Sequence, residues 1–105
     1  MAQVSDQKFV HCVYFWLKRD LTKEQITSFE KGLERLSHIE TVKRGFTGVP
    51  APTDRAIIDR TYDYALILVF DNKEKHDTYQ EHPVHDEFRN EFGDFWLKVT
   101  IYDVV

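Results

Sequence analysis

The chain has 105 residues, 42% hydrophobic and 30% charged, which fits one compact domain and excludes a disordered or collagen-like polymer. The 14 Lys and Arg against 18 Asp and Glu leave a net charge of −4, the wrong sign for gripping phosphate backbones, so no nucleic-acid partner is expected. Cys12 is the one cysteine, which excludes an internal disulfide framework or a cysteine metal cluster and suits a reducing compartment.

Met1–Lys8 carries no apolar leader stretch, and no run approaches the ~18 apolar residues of a membrane span, so a cytoplasmic location with no membrane partner is expected. The single domain is expected to span 1–105 with its core over about 8–104. From Phe9 to Leu17 one strand parity holds Phe9, Val13, Phe15 and Leu17, and the other holds Val10, Cys12, Tyr14 and Trp16. Both faces are apolar, as in a strand from the middle of a sheet, and His11 is its one polar inclusion.

Thr22 then reads as an N-cap, with Gln25 completing a capping box and Leu21 stapling onto Ile26. Ile26, Phe29, Leu33 and Leu36 continue at helical spacing to about Ser37. Thr41 to Val49 predicts a weaker edge strand, interrupted by Gly45 and Gly48, before a loop from Pro50 to about Arg60. Within that loop Ala56-Ile57-Ile58 would either reach a partner subunit or pack on its own domain. Thr61 to Phe70 predicts a second central strand, with Tyr62, Tyr64, Leu66, Leu68 and Phe70 on one face. Asp71, with Glu74 three residues on, predicts the cap of a short polar helix over Asn72 to Gln80 whose only semi-apolar stripe is His76 and Tyr79. Pro83 suits a first helical position, so His82 caps a new helix running through Phe92 at an angle to the one before. Lys98 to Val104 closes the chain as a strand.

The order βαββαβ predicts an α+β, ferredoxin-like sandwich: a four-stranded antiparallel sheet with helices on one face. Because the central strands are apolar on both faces, the other sheet face is left without cover within the chain. A homodimer through that open face is the simplest cover.

Few residues are placed for chemistry. On a wheel of the last helical segment Val84, Phe88, Phe92 and Phe95 fall within about 80°, with His85 and Trp96 just beyond. His85 is then either a satisfied core imidazole or a base in a dry pocket. Tyr79 is either an anchor of its helix or a phenol donating to a developing oxyanion. His11 must find a partner or face a cavity, and Tyr64 on the other central strand is one such partner. His82 and His85 lie three apart beside Glu81 and Asp86, but an N-cap His82 points away from His85, so no metal site is expected. Phosphate-binding glycine loops, a nucleophile elbow and HExxH are missing from the sequence, and no cofactor is expected.

The run Tyr79-Gln80-Glu81-His82-Pro83-Val84-His85-Asp86-Glu87-Phe88, with Val10-His11-Cys12-Val13 and Ile101-Tyr102-Asp103, resembles the stress-responsive dimeric α/β-barrel (Dabb) family over nearly the whole chain. The resemblance implies a ferredoxin-like unit whose sheets pair in a dimer to form a barrel. One plant member of that family closes a linear polyketide by an aldol condensation that keeps the carboxyl group. By resemblance His85 takes the place of the base and Tyr79 that of the phenol holding the reacting carbonyl. His11 then lines the same cavity, with Val13, Phe15, Phe29, Leu33, Leu66, Phe88, Trp96 and Val99 as apolar wall. The chain departs from that member at Tyr64, in place of a second cavity histidine, and at Glu30, in place of an aromatic. The expected function is a small-molecule pocket with polyketide-cyclase-like acid–base chemistry; a non-catalytic stress-associated binding protein is the alternative.

Overall fold

The computed structural model describes residues 8–105, so all of the Met1–Lys8 opening except Lys8 lies outside the described residues. The elements follow as β1 (Phe9–Leu17), α1 (Lys23–Ser37), β2 (Arg44–Gly48), β3 (Tyr64–Phe70), α2 (Lys73–Gln80), α3 (Pro83–Phe92), a 3-10 turn (Gly93–Phe95) and β4 (Trp96–Val104). All three strand pairings are antiparallel, in the order β2-β3-β1-β4. This is the ferredoxin-like α+β sandwich, with β1 and β3 central as their two-sided apolar patterns require.

Local chemistry sets each boundary. Thr22 Oγ1 accepts from the Gln25 N–H at 3.1 Å and Gln25 Oε1 accepts from the Thr22 N–H at 2.8 Å, closing the capping box of α1. The α2 cap falls one residue later than expected: Asn72, not Asp71, accepts from the Lys75 N–H at 2.9 Å. Asp71 is instead drawn to Lys43 at 3.1 Å and Lys8 at 3.6 Å. His82 caps α3 through Nδ1, which accepts from the Val84 N–H at 3.1 Å, with Pro83 at the first helical position.

β3 starts at Tyr64 rather than Thr61, and this reverses Tyr62. Tyr62 lies against Tyr14 at 5.1 Å and Trp16 at 6.4 Å between ring centroids, on the open side of the sheet. The cause is Asp63, whose N–H donates to the Phe15 carbonyl while its carboxylate accepts from the Leu17 N–H at 2.8 Å and pairs with Arg19 at 2.7 Å. β4 starts earlier than expected, at Trp96, where the ladder to β1 shifts register between Trp16 and Leu17.

The helices lie on one face only. Beneath them Phe15, Phe29, Leu68, Phe70 and Phe92 are almost wholly buried. The opposite face carries Val10, Cys12, Tyr14 and Trp16 of β1 beside Ile67, Val69, Phe46 and Tyr102, and it is bare: Phe46 is 66% and Tyr102 61% exposed. No described helix is long and apolar enough to cross a membrane.

Gly32 lies where α1 and α3 pack tightly. A Cβ there would stand 2.4 Å from Cε2 of Phe92, inside the α1–α3 seam. Gly32→Ala is therefore expected to destabilise the fold by about 1–3 kcal/mol despite its gain in helix propensity, measured by urea denaturation.

Candidate functional site

A cavity of about 400 Å³ opens between the helical layer and the sheet. His11, Tyr79 and His85, which come from three different elements, all line it. Of the expected apolar wall, Val13, Phe15, Leu66, Phe88, Trp96 and Val99 are there too. Leu36, Gln80, Arg89 and Ile101 complete it without having been expected.

Phe29 and Leu33 of the expected wall lie elsewhere, as does Tyr64, expected in place of a cavity histidine. Phe29 is sealed in the core, edge-on to Phe15 at 5.2 Å and to Phe92 at 5.6 Å. Leu33 and Tyr64 line a second space of about 440 Å³ beside α1 and β2. There the Tyr64 hydroxyl donates to Glu30 Oε2 at 2.6 Å, so the two positions at which the sequence was expected to depart from its resemblance are bonded to each other. Burial, and then that carboxylate, push the Tyr64 phenol pKa up.

Tyr64 is accordingly not the partner of His11. On the β1–β4 ladder His11 stands opposite Asp103, and its Nδ1 lies 2.5 Å from Asp103 Oδ1. His11 is only 2% exposed, and burial lowers its pKa while Asp103 pulls the other way. A neutral His11 donating from Nδ1 to Asp103 keeps the lone pair on Nε2.

His85 is differently placed. Its ring stands edge-on to Tyr79 at 5.1 Å, its Nδ1 is buried without a hydrogen-bond partner, and burial followed by the charge of Arg89 lowers its pKa. Tyr79 is 1% exposed, and its hydroxyl makes no hydrogen bond among the described residues. Burial raises its pKa, so it stays a phenol and a donor. The site thus pairs imidazoles held neutral with an un-ionised donor in mainly apolar surroundings.

The structure also brings in His76, seen in the sequence only as part of a helix stripe. It is 8% exposed, stacked on Phe9 at 4.2 Å and 4.9 Å from the His11 ring. Its nitrogens meet Asp77 Oδ1 at 3.1 Å and Gln80 Nε2 at 3.0 Å. Potential ligand atoms of His11, His76 and Asp103 lie within 4.8 Å of one another, making this the grouping able to hold a metal among the described residues. The His82–His85 spacing makes no such group, because His82 turns to Glu40 at 3.3 Å. Asp103 went unassigned in the sequence because only the β1–β4 register puts it opposite His11.

Comparison with known proteins agrees with this architecture. The stress responsive A/B barrel domain (Dabb) family pattern matches residues 9–105. A stress-response A/B barrel domain-containing protein of Arabidopsis thaliana is 30% identical over 96 residues, covering 90% of this chain and 83% of that protein. Another Arabidopsis thaliana protein of known structure is 26% identical with a TM-score of 0.78, over 92% of this chain and 93% of its own. At 20% identity, a hydroxynitrile lyase from Passiflora edulis shares the fold, with a TM-score of 0.78 over 94% of this chain and 93% of its own. A dimeric ferredoxin-like protein of unknown function from Thermobifida fusca shares it at 19% identity, with a TM-score of 0.76 over 96% and 92%.

The two lowered histidine pKa values fix a direction for stability. Below 6.5 the unfolded chain takes up protons that folded His11 and His85 refuse, so stability is full above that pH and falls as pH drops toward the folded values. The melting temperature is expected to fall between pH 7.5 and about pH 5, and His85→Gln should flatten part of that slope in a pH series of thermal melts.

Proposed function

Because the chain belongs to the Dabb family of stress responsive A/B barrel domains, we propose that it is a cytoplasmic homodimer, closed across the open sheet faces, whose cavity binds a small carbonyl compound and promotes its cyclisation by acid–base chemistry. The observation that carries this reading is the cavity itself: Tyr79 and His85 both touch it, and neither the phenol nor Nδ1 of His85 is satisfied by any described residue. A histidine kept only for the core is normally bonded to a carbonyl or hydroxyl and has no cavity of this size beside it.

In this reading His85 takes a proton from a carbon flanked by carbonyls, which requires the neutral imidazole that its lowered pKa provides. The carbon's electron pair forms a bond to a second carbonyl carbon of the same molecule. The oxygen of that carbonyl becomes an oxyanion beside the Tyr79 hydroxyl, which stabilises it by donating. The imidazolium then returns its proton to the oxygen, so the step needs no redox partner. His11, its ring fixed by Asp103, positions the bound molecule. Walls such as Val13, Phe88 and Val99 exclude water, which strengthens each of these interactions. The half-buried thiol of Cys12 on the open face suits a reducing cytoplasm.

The homodimer covers what one chain leaves bare. Dimeric relatives of the same fold support it, and so does the run of Val10, Tyr14, Phe46 and Tyr102 across the open face. Sedimentation equilibrium is expected to return twice the 12.5 kDa chain mass at micromolar concentration, and Tyr102→Glu to return the monomer. A wild-type monomer would remove the dimer from this reading.

For the chemistry, a thermal-shift screen of β-diketones, resorcinol-type phenols and aromatic acids is run on the wild type and His85→Ala, followed by a cyclisation assay on the compounds that bind. His85→Ala is expected to stay folded, and turnover to drop by about 10²-fold or more, with Tyr79→Phe also impaired. If no compound shifts the wild type and His85→Ala alone melts early, His85 is a core residue and the reading fails.

A further inference from the structure

The cavity is not apolar all round. Arg89 stands on α3 one turn beyond His85 and lines the cavity. It also lines an adjoining cleft of about 460 Å³, shared with Trp96, Asp86 and Asn90. Arg89 and Trp96 are therefore the common wall of the two spaces. Neither has its polar group bonded to another described residue. Among the described residues Arg89 makes no ion pair or side-chain hydrogen bond, even with Asp86 in the same cleft, and the indole N–H of Trp96 is buried without an acceptor.

An arginine and an indole at one junction supply donors and no acceptor. The buried indole N–H needs an acceptor, and Arg89 beside it, exposed at the mouth of the cavity, presents its guanidinium to whatever enters; the group that suits both best is a carboxylate, which takes two parallel N–H bonds from a guanidinium. The cation acts on the site independently of any ligand, since its charge is one cause of the lowered His85 pKa.

We propose that the cavity is selective for organic acids, with the ligand carboxylate held at the Arg89–Trp96 junction and its apolar body lying toward Tyr79 and His85. This rests on the reading of the cavity as a ligand site and adds the class of molecule it takes. Arg89 and Trp96 determine specificity by charge and hydrogen bonding, while the acid–base work stays with other residues. A purely structural Arg89, complementing the dipole at the last turn of α3, would not discriminate between ligands of different charge.

The test is isothermal titration of the intact protein with phenyl-substituted carboxylates from benzoate to 4-phenylbutanoate, each against its methyl ester. The wild type is expected to favour the best-fitting acid over its ester by about tenfold or more, the scale of a charge-assisted pair. Arg89→Gln is expected to erase that preference while leaving ester affinity within about twofold, the scale of an unchanged apolar contact. Arg89→Lys should restore part of it, and Trp96→Phe, which keeps an aromatic wall but removes the donor, should weaken it. Equal binding of acid and ester by the wild type, or a preference that survives Arg89→Gln, overturns the proposal and leaves the cavity as a neutral-ligand site. If neither acids nor esters bind the wild type, the proposal and the ligand-site reading beneath it both fall.

Discussion

β1 is bonded on both sides, to β3 along Phe9–Phe15 and to β4 along Val10–Leu17, and everything else in the molecule follows from that position. A strand laddered on both edges has side chains only above and below the sheet. Those above meet the helices and form the core; those below are covered by no helix among the described residues and touch neighbours along the sheet and Tyr62 at one end. The same two ladders place His11 over the covered face and opposite Asp103, so the central strand's one polar side chain is bonded at Nδ1 and keeps Nε2 for the cavity. Burial costs this imidazole its charged form, and the carboxylate returns part of that cost.

The break at Pro83 is the second determinant of the site. Tyr79 and His85 are six positions apart, which on one continuous helix would set them about 120° apart. Ending α2 at Gln80 and restarting at Pro83 swings the axis, and the two rings meet edge-on at 5.1 Å across the cavity. α2 has little apolar surface of its own. Tyr79 and His76 hold it to the sheet through Phe70 and Phe9, so the residue that binds the helix down is also the one that presents a phenol to the cavity.

Opposite ends of the covered face have been given different polarity. Near β2 the Tyr64 hydroxyl is bonded to Glu30, and that pair lines a separate groove. Near β4 the cavity ends instead on Arg89 and Trp96, whose donors no described residue meets. The fold supplies the shelf between helices and sheet, and these few side chains give its two ends their different chemistry.

Much of this was legible in the residues alone. Alternation in Phe9–Leu17, the Thr22–Gln25 box and the His82–Pro83 start are local signals, governed by the strand period, a side chain reaching its own backbone, and a missing N–H; they place the elements and imply the bare face. His11, Tyr79 and His85 were likewise visible as polar groups on apolar faces. What only the tertiary structure decided is which of these surfaces meet. The β1–β4 register gave His11 to Asp103 rather than Tyr64, Asp63 turned Tyr62 to the open side, and the α3 orientation brought Arg89 to the cavity wall. Each of these depends on contacts between residues far apart in the chain, where one step of register moves a side chain to the opposite face.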